Sequence, residues 1–283
     1  MADVADAGQP APTLPQGNKS VVTSTADGLG IRKAYNENGN PHAKYVREVG
    51  FYRHYGDSPL IPDLLECLPQ EPAIVITKAP GVPCSAVRLS ASERCRLSED
   101  YVHKVMDLLS VGGDLNALKA SHFLDVGAQD QRAEVLAALD RYPTDSRLSE
   151  RILHRLRSAA QEVVISKEML IKLDWNASNV FINDGAISQF IDFEQSFVGT
   201  SEMLAGILLH NPLWHARSVF EVLRRRGFLS QPVANMATWV HFSFAAVLAD
   251  SRARTGTAWD TRRLQSAYRR HVVDRLNDLG LET

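Results

Sequence analysis

The sequence has few of the features that mark membrane, secreted or generally basic proteins. Its 283 residues include only three cysteines, and these show no spacing typical of metal ligands. No apolar run reaches the ~18 residues that a membrane span needs. The net charge is −2, so the chain has no overall basic signature for nucleic acid. We therefore expect a cytoplasmic protein that binds neither a membrane nor a nucleic acid.

The N-terminus also lacks the apolar core of a secretory signal. Residues 1–15 contain acidic side chains and prolines at positions 10, 12 and 15. Proline keeps the residue before it out of the helical region. The composition predicts an extended lead-in ahead of the folded part of the chain.

Residues 16–80 have the pattern of a β-rich unit with one helix. Two β-rich runs within residues 18–35 flank the turn "ADG", where Gly28 can supply a positive φ. Helical spacing of apolar residues follows over 41–55, after Pro41 at the helix start. A short apolar strand within 72–81 ends at a Pro-Gly pair.

Residues 81–283 are mainly helical in pattern, with one hairpin embedded among the helices. Ser98 is a plausible N-cap for the first helix. The hairpin strands "NVFIN" and "ISQFIDF" turn at Asp184 and Gly185, because Asp-Gly between β-rich runs favours a tight turn. Helical segments are predicted within 90–111, 130–142, 145–164, 201–210, 216–227, 234–254 and 260–276.

Three oxygen-bearing side chains stand at the ends of this hairpin. Asp174 follows the apolar run "MLIKL", where a carboxylate can accept a proton from an attacking hydroxyl. Asn179 opens the first strand and Asp192 lies in the second, so the hairpin brings them together. Amide and carboxylate oxygens suit Mg²⁺, which takes few protein ligands beside phosphate oxygens. Phosphoryl transfer needs mainly such positioning and charge neutralisation.

Each of these residues alone also has a structural explanation. Asp174 can cap a turn, Asn179 can be a turn residue and Asp192 can be a satisfied strand carboxylate. The three together, at this spacing, favour a metal and phosphate site. The apolar neighbours of Asp192 strengthen that interpretation, because a buried carboxylate is costly unless it is paired or ligates a metal.

The segment "LDWNASNVFINDGAISQFIDFE" resembles the catalytic segment of the aminoglycoside phosphotransferase and choline kinase group. The resemblance implies an α+β, two-lobed protein-kinase-like fold, with a small β-rich lobe over 16–80 and a large helical lobe over 81–283. It also implies an ATP-dependent O-phosphotransferase acting on a small-molecule hydroxyl. Asp174 would be the catalytic base, and Asn179 and Asp192 would hold Mg²⁺.

The chain departs from that family at two places. Lys172 stands where members commonly have His, two residues before the catalytic Asp. "VGTSEMLAG" lacks the later Asp that braces the loop, with Leu204 near its place. These departures leave open a catalytically silent protein that binds nucleotide. An atypical protein kinase is a weaker alternative, since no long activation loop is visible.

The resemblance also implies a lysine on the phosphates and an acid that holds it. Lys33 on the strand "GIRKAY" and Glu48 on the following helix match these positions. Arg32 is an adjacent candidate, but neighbouring strand residues face opposite sides, and we favour Lys33.

Further nucleotide contacts are predicted on both sides of Lys33. The turn "PQGNKS" would cover the phosphates with Gly17 and the backbone N–H groups that run to Ser20. Backbone groups near Lys78 and Ala79 would meet adenine. Asn176 could touch the transferred phosphate.

The acceptor pocket is expected in the last third of the chain. From residue 201 onward there are eleven Arg, no Lys and seven Asp or Glu, a net charge of +4. This balance disfavours a polycationic acceptor and favours a neutral or anionic hydroxyl compound. Candidate pocket residues are Trp214, His215, Trp239, His241 and Trp259, although such residues more often belong to the core. The arginines alone would also fit nucleic-acid binding, the least favoured alternative.

Overall fold

The computed structural model describes residues 20–36, 40–120, 168–172, 174–211 and 213–228. The lead-in and the predicted helices over 130–142, 145–164, 234–254 and 260–276 lie outside these residues. The strands are β1 Ser20–Ser24, β2 Gly30–Tyr35, β3 Leu64–Leu68, β4 Ala73–Thr77, β5 Val82–Pro83, β6 Glu168–Lys172, β7 Val180–Asn183, β8 Ala186–Phe190 and β9 Ser196–Thr200. The helices are α1 Pro41–Tyr55, α2 Ala91–Ser110, α3 Leu115–Ala120, α4 Ser201–His210 and α5 Ala216–Arg225.

The first four strands form one antiparallel sheet in the order β1-β2-β4-β3. The predicted turn between β1 and β2 is confirmed, and Gly28 takes a φ of 73° there. Strand β3 was not predicted, because "LLECL" has no clean alternation and two of its central residues are exposed. The remaining strands form two small sheets, β5-β7-β8 and β6-β9. The expected α+β class is confirmed for the described residues.

Helix α1 begins and ends at the predicted residues. Asn40 caps it, accepting a hydrogen bond from the backbone N–H of Ala43, and Pro41 occupies its first turn. The predicted face of Tyr45, Val49 and Tyr52 is buried. This buried face packs α1 against the sheet.

The predicted N-cap of α2 is wrong. The helix begins at Ala91, and Ser90 forms a capping box with Glu93. Ser98 lies a further two turns along, buried, with its hydroxyl donating to Arg94 O at 2.5 Å. Ser98 is followed directly by two acidic residues, but only Ser90 has a Glu three residues later, as a capping box requires.

The hairpin turns at Asp184 and Gly185 as predicted, with φ of 50° and 75°. Its second strand is shorter than expected, because β8 ends at Phe190. Asp192 therefore lies beyond the strand and not in it. Its φ of 67° falls in the left-handed region, which a residue with a Cβ rarely adopts.

The C-terminal end of α1 and the loop after it are hydrogen-bonded to residues far along the chain. Tyr55 Oη donates to Leu170 O at 2.8 Å, and Phe190 N donates to Leu60 O at 2.8 Å. Gly113 N donates to the carbonyl of His54 at 3.3 Å. These contacts fix the end of α1 and the loop after it against β6, β8 and the segment after α2. Within the described residues, no helix combines the length and hydropathy needed to cross a bilayer.

Candidate active site

Asp174 follows strand β6 and begins a tight polar turn. Its Oδ1 accepts a hydrogen bond from Asn176 Nδ2 at 2.7 Å and a longer one from Asn176 N at 3.3 Å. Asn176 in turn caps the 3-10 turn Ala177–Asn179, accepting from Ser178 N at 2.9 Å. The turn thus orients the Asp174 carboxylate from one side. The predicted contact of Asn176 with a phosphate stays a prediction.

The structure brings Asn179 and Asp192 together across the base of the hairpin. Asn179 is buried, and its Nδ2 lies 3.3 Å from Asp192 Oδ2 and 3.3 Å from the carbonyl oxygen of Asp174. The backbone is joined at the same point, because Ile191 N donates to Asn179 O at 3.0 Å. One amide side chain therefore contacts both predicted acidic residues.

Lys33 connects this hairpin to the first sheet. Its Nζ lies 2.7 Å from Glu48 Oε2 and also contacts Asp192 Oδ1. A third carboxylate, Glu194, lies 3.4 Å away. Only 8% of the Lys33 side chain is exposed. Strand β2, helix α1 and the segment after β8 meet at this one ammonium group.

The charges around Lys33 fix its protonation. Burial opposes its charge, but Glu48, Asp192 and Glu194 outweigh burial and raise the pKa of Lys33 above its ordinary value. Arg32 points to the other side of the strand, where it pairs with exposed Glu71 at 2.6 Å. The structure thus places Lys33, and not Arg32, beside the predicted metal ligands.

The Glu48 carboxylate is fully engaged. Its Oε2 accepts hydrogen bonds from Lys33 and from Tyr35 Oη, the latter at 2.6 Å. Its Oε1 accepts from the backbone N–H of Phe193 at 3.2 Å. Sequence patterns missed Tyr35 and Glu194. The signals were available, since Tyr35 is two residues from Lys33 on one strand face and Glu194 is two residues from Asp192.

Lys172 is fully buried beneath the same segment. Its Nζ donates to the carbonyl oxygen of Ile191 and lies 4.9 Å from the Phe193 ring centroid and 5.6 Å from that of Trp175. Burial lowers the pKa of Lys172 to about 8, although Asp192, Asp174 and Glu48 oppose that shift. The residue that stands in place of the family His is thus in contact with the backbone next to Asp192.

Three of the four remaining predicted nucleotide contacts, Ser20, Lys78 and Ala79, fall within the described residues. Ser20 is the buried first residue of β1, and Gly17 lies outside the described residues. Lys78 is exposed, with its backbone N–H donating to Leu29 O at 3.3 Å, and Ala79 is buried. Their contacts with a nucleotide stay predictions.

The donor set fits a hard divalent cation. Carboxylate oxygens of Glu48, Asp192 and Glu194 lie within 4.8 Å of one another. Asn179 lies at the hairpin base, with its Nδ2 donating to Asp192 Oδ2 at 3.3 Å. Mg²⁺ favours such oxygen ligands and uses one or two from a protein together with phosphates. Glu48 is committed to its three donors, so within this cluster the carboxylates of Asp192 and Glu194 are the better placed ligands. Asn179, the second ligand predicted from the sequence, lies beside Asp192.

Comparison with solved structures gives the fold. An aminoglycoside 2′-phosphotransferase-IIIa mutant solved with GDP matches with a TM-score of 0.63 and 13% identity, over 96% of this chain and 90% of that one. A thermostable mutant of aminoglycoside phosphotransferase APH(4)-Ia, solved with ADP and hygromycin B, gives 0.59 and 18%, over 96% and 95%. Macrolide 2′-phosphotransferase MphH from Brachybacterium faecium gives 0.57 and 13%, over 97% and 92%.

No protein-family model matches the sequence, and no curated protein is significantly similar to it. The likeness is therefore one of structure, at low sequence identity and over nearly the whole of each chain. The predicted resemblance is confirmed at this level: the chain has the protein-kinase-like fold of the aminoglycoside and macrolide phosphotransferases.

Proposed function

We propose that this protein is an ATP- and Mg²⁺-dependent O-phosphotransferase that acts on a hydroxyl of a small molecule. The observation that carries the proposal is the meeting of Lys33, Glu48 and Asp192 from three separate elements, with Asn179 against the same carboxylate. This set gathers a buried cation, the Asp192 carboxylate and an amide side chain within one small volume. Phosphoryl transfer depends mainly on such preorganised charge.

Asp174 is the proposed base. Asn176 engages its Oδ1, and among the described residues its Oδ2 takes part in no hydrogen bond. An acceptor hydroxyl can therefore donate to Oδ2 while Oδ1 stays fixed. As the hydroxyl oxygen attacks the terminal phosphorus, its proton passes to Asp174, and the bond from phosphorus to the bridging oxygen of the nucleotide breaks.

Asp192 and Asn179 are the proposed ligands of Mg²⁺. When bound, the ion would neutralise charge that develops on the phosphate oxygens. Lys33 would exchange part of its contact with Asp192 for a phosphate oxygen, while Glu48 keeps the ammonium in place. The solved structures with ADP and GDP that share this fold support a nucleotide as the donor.

The acceptor is proposed to be a neutral or anionic hydroxyl compound. Residues 201–283 carry a net charge of +4, which disfavours a polycation at a pocket built from them. A sugar, a nucleoside or a neutral or anionic natural product would satisfy this class. The fold relatives include an enzyme named for macrolides and one solved with hygromycin B, so large natural products belong in the screen.

Calorimetric titration of ATP with and without Mg²⁺ tests the proposal. The wild type should bind ATP more tightly with Mg²⁺, and Asp192→Asn should lose most of that gain, about 10-fold or more. Asp184→Asn is the matched control, because Asp184 lies at the far end of the same hairpin and already has a positive φ. A folded wild type that binds none of ATP, GTP and GDP would contradict the proposal.

Asp174→Asn separates binding from chemistry. It should leave ATP affinity within about 3-fold and reduce turnover on an identified acceptor by about 100-fold or more. Binding without turnover in the wild type, across a broad hydroxyl screen, would instead favour the catalytically silent alternative. The contact of Lys172 with Ile191 argues against that alternative, since the supporting position before Asp174 is filled.

A further inference from the structure

The backbone at Asp192 has a left-handed conformation, which is uncommon for residues other than glycine, although Asp adopts it more readily than most. Its φ of 67° is left-handed, and such a conformation costs a non-glycine residue about 1 kcal/mol or more. Positive φ at Asp184 is explained by its place in a two-residue hairpin turn. Asp192 lies in no such turn, so the surrounding contacts must impose its geometry.

The residues on both sides of Asp192 are hydrogen-bonded. Ile191 N donates to Asn179 O at 3.0 Å, and Phe193 N donates to Glu48 Oε1 at 3.2 Å. Phe193 O accepts from Ser196 N at 3.1 Å and from Ser196 Oγ at 2.7 Å. The carbonyl of Ile191 accepts from Lys172 Nζ. That carbonyl belongs to the peptide unit that leads directly into Asp192.

The setting of Lys172 suits it to this one contact. The side chain is fully buried, and the rings of Phe193 and Trp175 lie against the ammonium group. Aromatic faces stabilise a cation without forming directional hydrogen bonds with it. The directional contact is therefore the one to Ile191 O.

We propose that Lys172 is a positioning residue that holds the Ile191 carbonyl and thereby keeps Asp192 in its left-handed conformation, with the carboxylate turned toward Lys33 and Asn179. The proposal rests on the proposed function in assigning Asp192 to Mg²⁺, but the conformational part concerns the protein alone. Without the ammonium, the Ile191–Asp192 peptide is free to rotate toward an ordinary φ. The carboxylate then moves away from Asn179.

The conformational part is tested by amide hydrogen exchange on the full chain without nucleotide. Lys172→Met keeps the length of the side chain and removes the donor. It should speed exchange at the Ile191 and Phe193 amides by about 10-fold, the effect of losing one buried hydrogen bond. Lys172→His restores an N–H donor and should return exchange to within about 3-fold of the wild type. Lys104→Met on α2 is the control for loss of a lysine.

The functional part is tested by titrating Mg²⁺ against a fixed concentration of ATP. Lys172→Met should raise the Mg²⁺ concentration at half-saturation by about 5-fold or more, while ATP affinity without Mg²⁺ stays within about 2-fold. Lys172→His should again recover the wild-type value. This split between the two affinities would not arise from a general loss of packing.

Two results would overturn the proposal. One is wild-type exchange at Ile191 and Phe193 in a folded Lys172→Met protein. The other is faster exchange spread evenly over the chain, including the core of α2, which would make Lys172 an ordinary core residue. If Lys172→Met fails to fold, hydrogen exchange at the Ile191 and Phe193 amides is measured in Lys172→Gln and Lys172→His instead. A wild type that binds no nucleotide would end the proposed function and leave the exchange result valid.

Discussion

Two buried lysines flank the segment around Asp192, and their surroundings are opposite. Lys33 lies among the carboxylates of Glu48, Asp192 and Glu194. Lys172 lies among aromatic rings and contacts a backbone carbonyl. The same side chain is thus used once as an ion-pair partner and once as a hydrogen-bond donor in an apolar pocket.

The difference shows in the protonation of the two groups. Both are buried, which disfavours the charge, but the carboxylates around Lys33 reverse this effect and raise its pKa. Burial prevails at Lys172 and lowers its pKa to about 8. In the proposed mechanism, Lys33 exchanges part of its carboxylate contacts for phosphate oxygens. The partner of Lys172 is a backbone carbonyl, which stays in place. The predictions below test this contrast, from the largest expected effect to the smallest.

Lys33→Met should destabilise the carboxylate-rich region, which consists of Lys33 with Glu48, Asp192 and Glu194. It leaves three carboxylates without their shared cation, and loss of one member of a buried ion pair costs about 3–5 kcal/mol. Denaturant unfolding measures the change. Arg32→Met on the same strand is the control, because its pair with Glu71 is exposed and should contribute less than about 1 kcal/mol. Equal losses in the two variants would show that Lys33 is not the central cation.

The stability of the wild type should rise relative to Lys172→Met as pH increases from 7 to 9.5. Lys172 binds its proton less tightly in the folded state, with a pKa near 8, than in the unfolded state, with the ordinary value of 10.5. The unfolded state therefore binds more protons in this range, and the unfolding free energy grows with pH. The expected gain is roughly 1–2 kcal/mol. A flat difference between the two proteins over this range would contradict the burial effect.

Tyr35→Phe should have a smaller effect on the carboxylate-rich region. It removes the hydrogen bond to Glu48 Oε2, while Lys33 still engages the same oxygen. A net loss of about 1 kcal/mol in unfolding free energy is expected. Tyr45→Phe on α1 is a matched control, since Tyr45 is equally buried and lies outside the site. A larger loss for Tyr45 than for Tyr35 would argue against a special role for the Tyr35 hydroxyl.

Glu194→Gln should have the smallest effect. It tests whether the third carboxylate near Lys33 competes with phosphate or positions the lysine. Glu194 is the most distant of the three carboxylates from Lys33, at 3.4 Å. Its neutralisation removes one negative charge near the site, so ATP without Mg²⁺ should bind about 3-fold more tightly. Calorimetry measures this affinity, with Glu221→Gln on α5 as an exposed control. Weaker binding would mean that Glu194 helps to position Lys33 and does not compete with phosphate.

Local sequence patterns predicted several turns and the bounds of one helix. The turn at Gly28, the bounds of α1 and the hairpin turn at Asp184 and Gly185 all follow from short-range rules of backbone geometry and capping. The spacing of Asp174, Asn179 and Asp192 also indicated which side chains would gather, because a hairpin joins its two ends. These features depend on residues that are near one another in the chain.

The parts that sequence patterns missed depend on distant contacts. Strand β9 pairs with β6, about 30 residues earlier, and no single tight turn joins these two strands, because the β7-β8 hairpin lies between them in the chain. Asp192 was assigned to a strand because its neighbours are apolar, whereas contacts from Lys172 and Glu48 turn its backbone out of the ladder. The role of Tyr35 depends on its hydrogen bond to Glu48, a residue on α1.

The anchoring of α1 has a consequence for regulation. Glu48 sits on this helix, and the hydrogen bonds of Tyr55 and Leu60 tie the helix end and the following loop to β6 and β8. An outward swing of α1 would break these buried bonds, at about 1 kcal/mol each, together with the pair to Lys33. We therefore expect the Lys33–Glu48 pair to assemble as the chain folds, without a separate activation step.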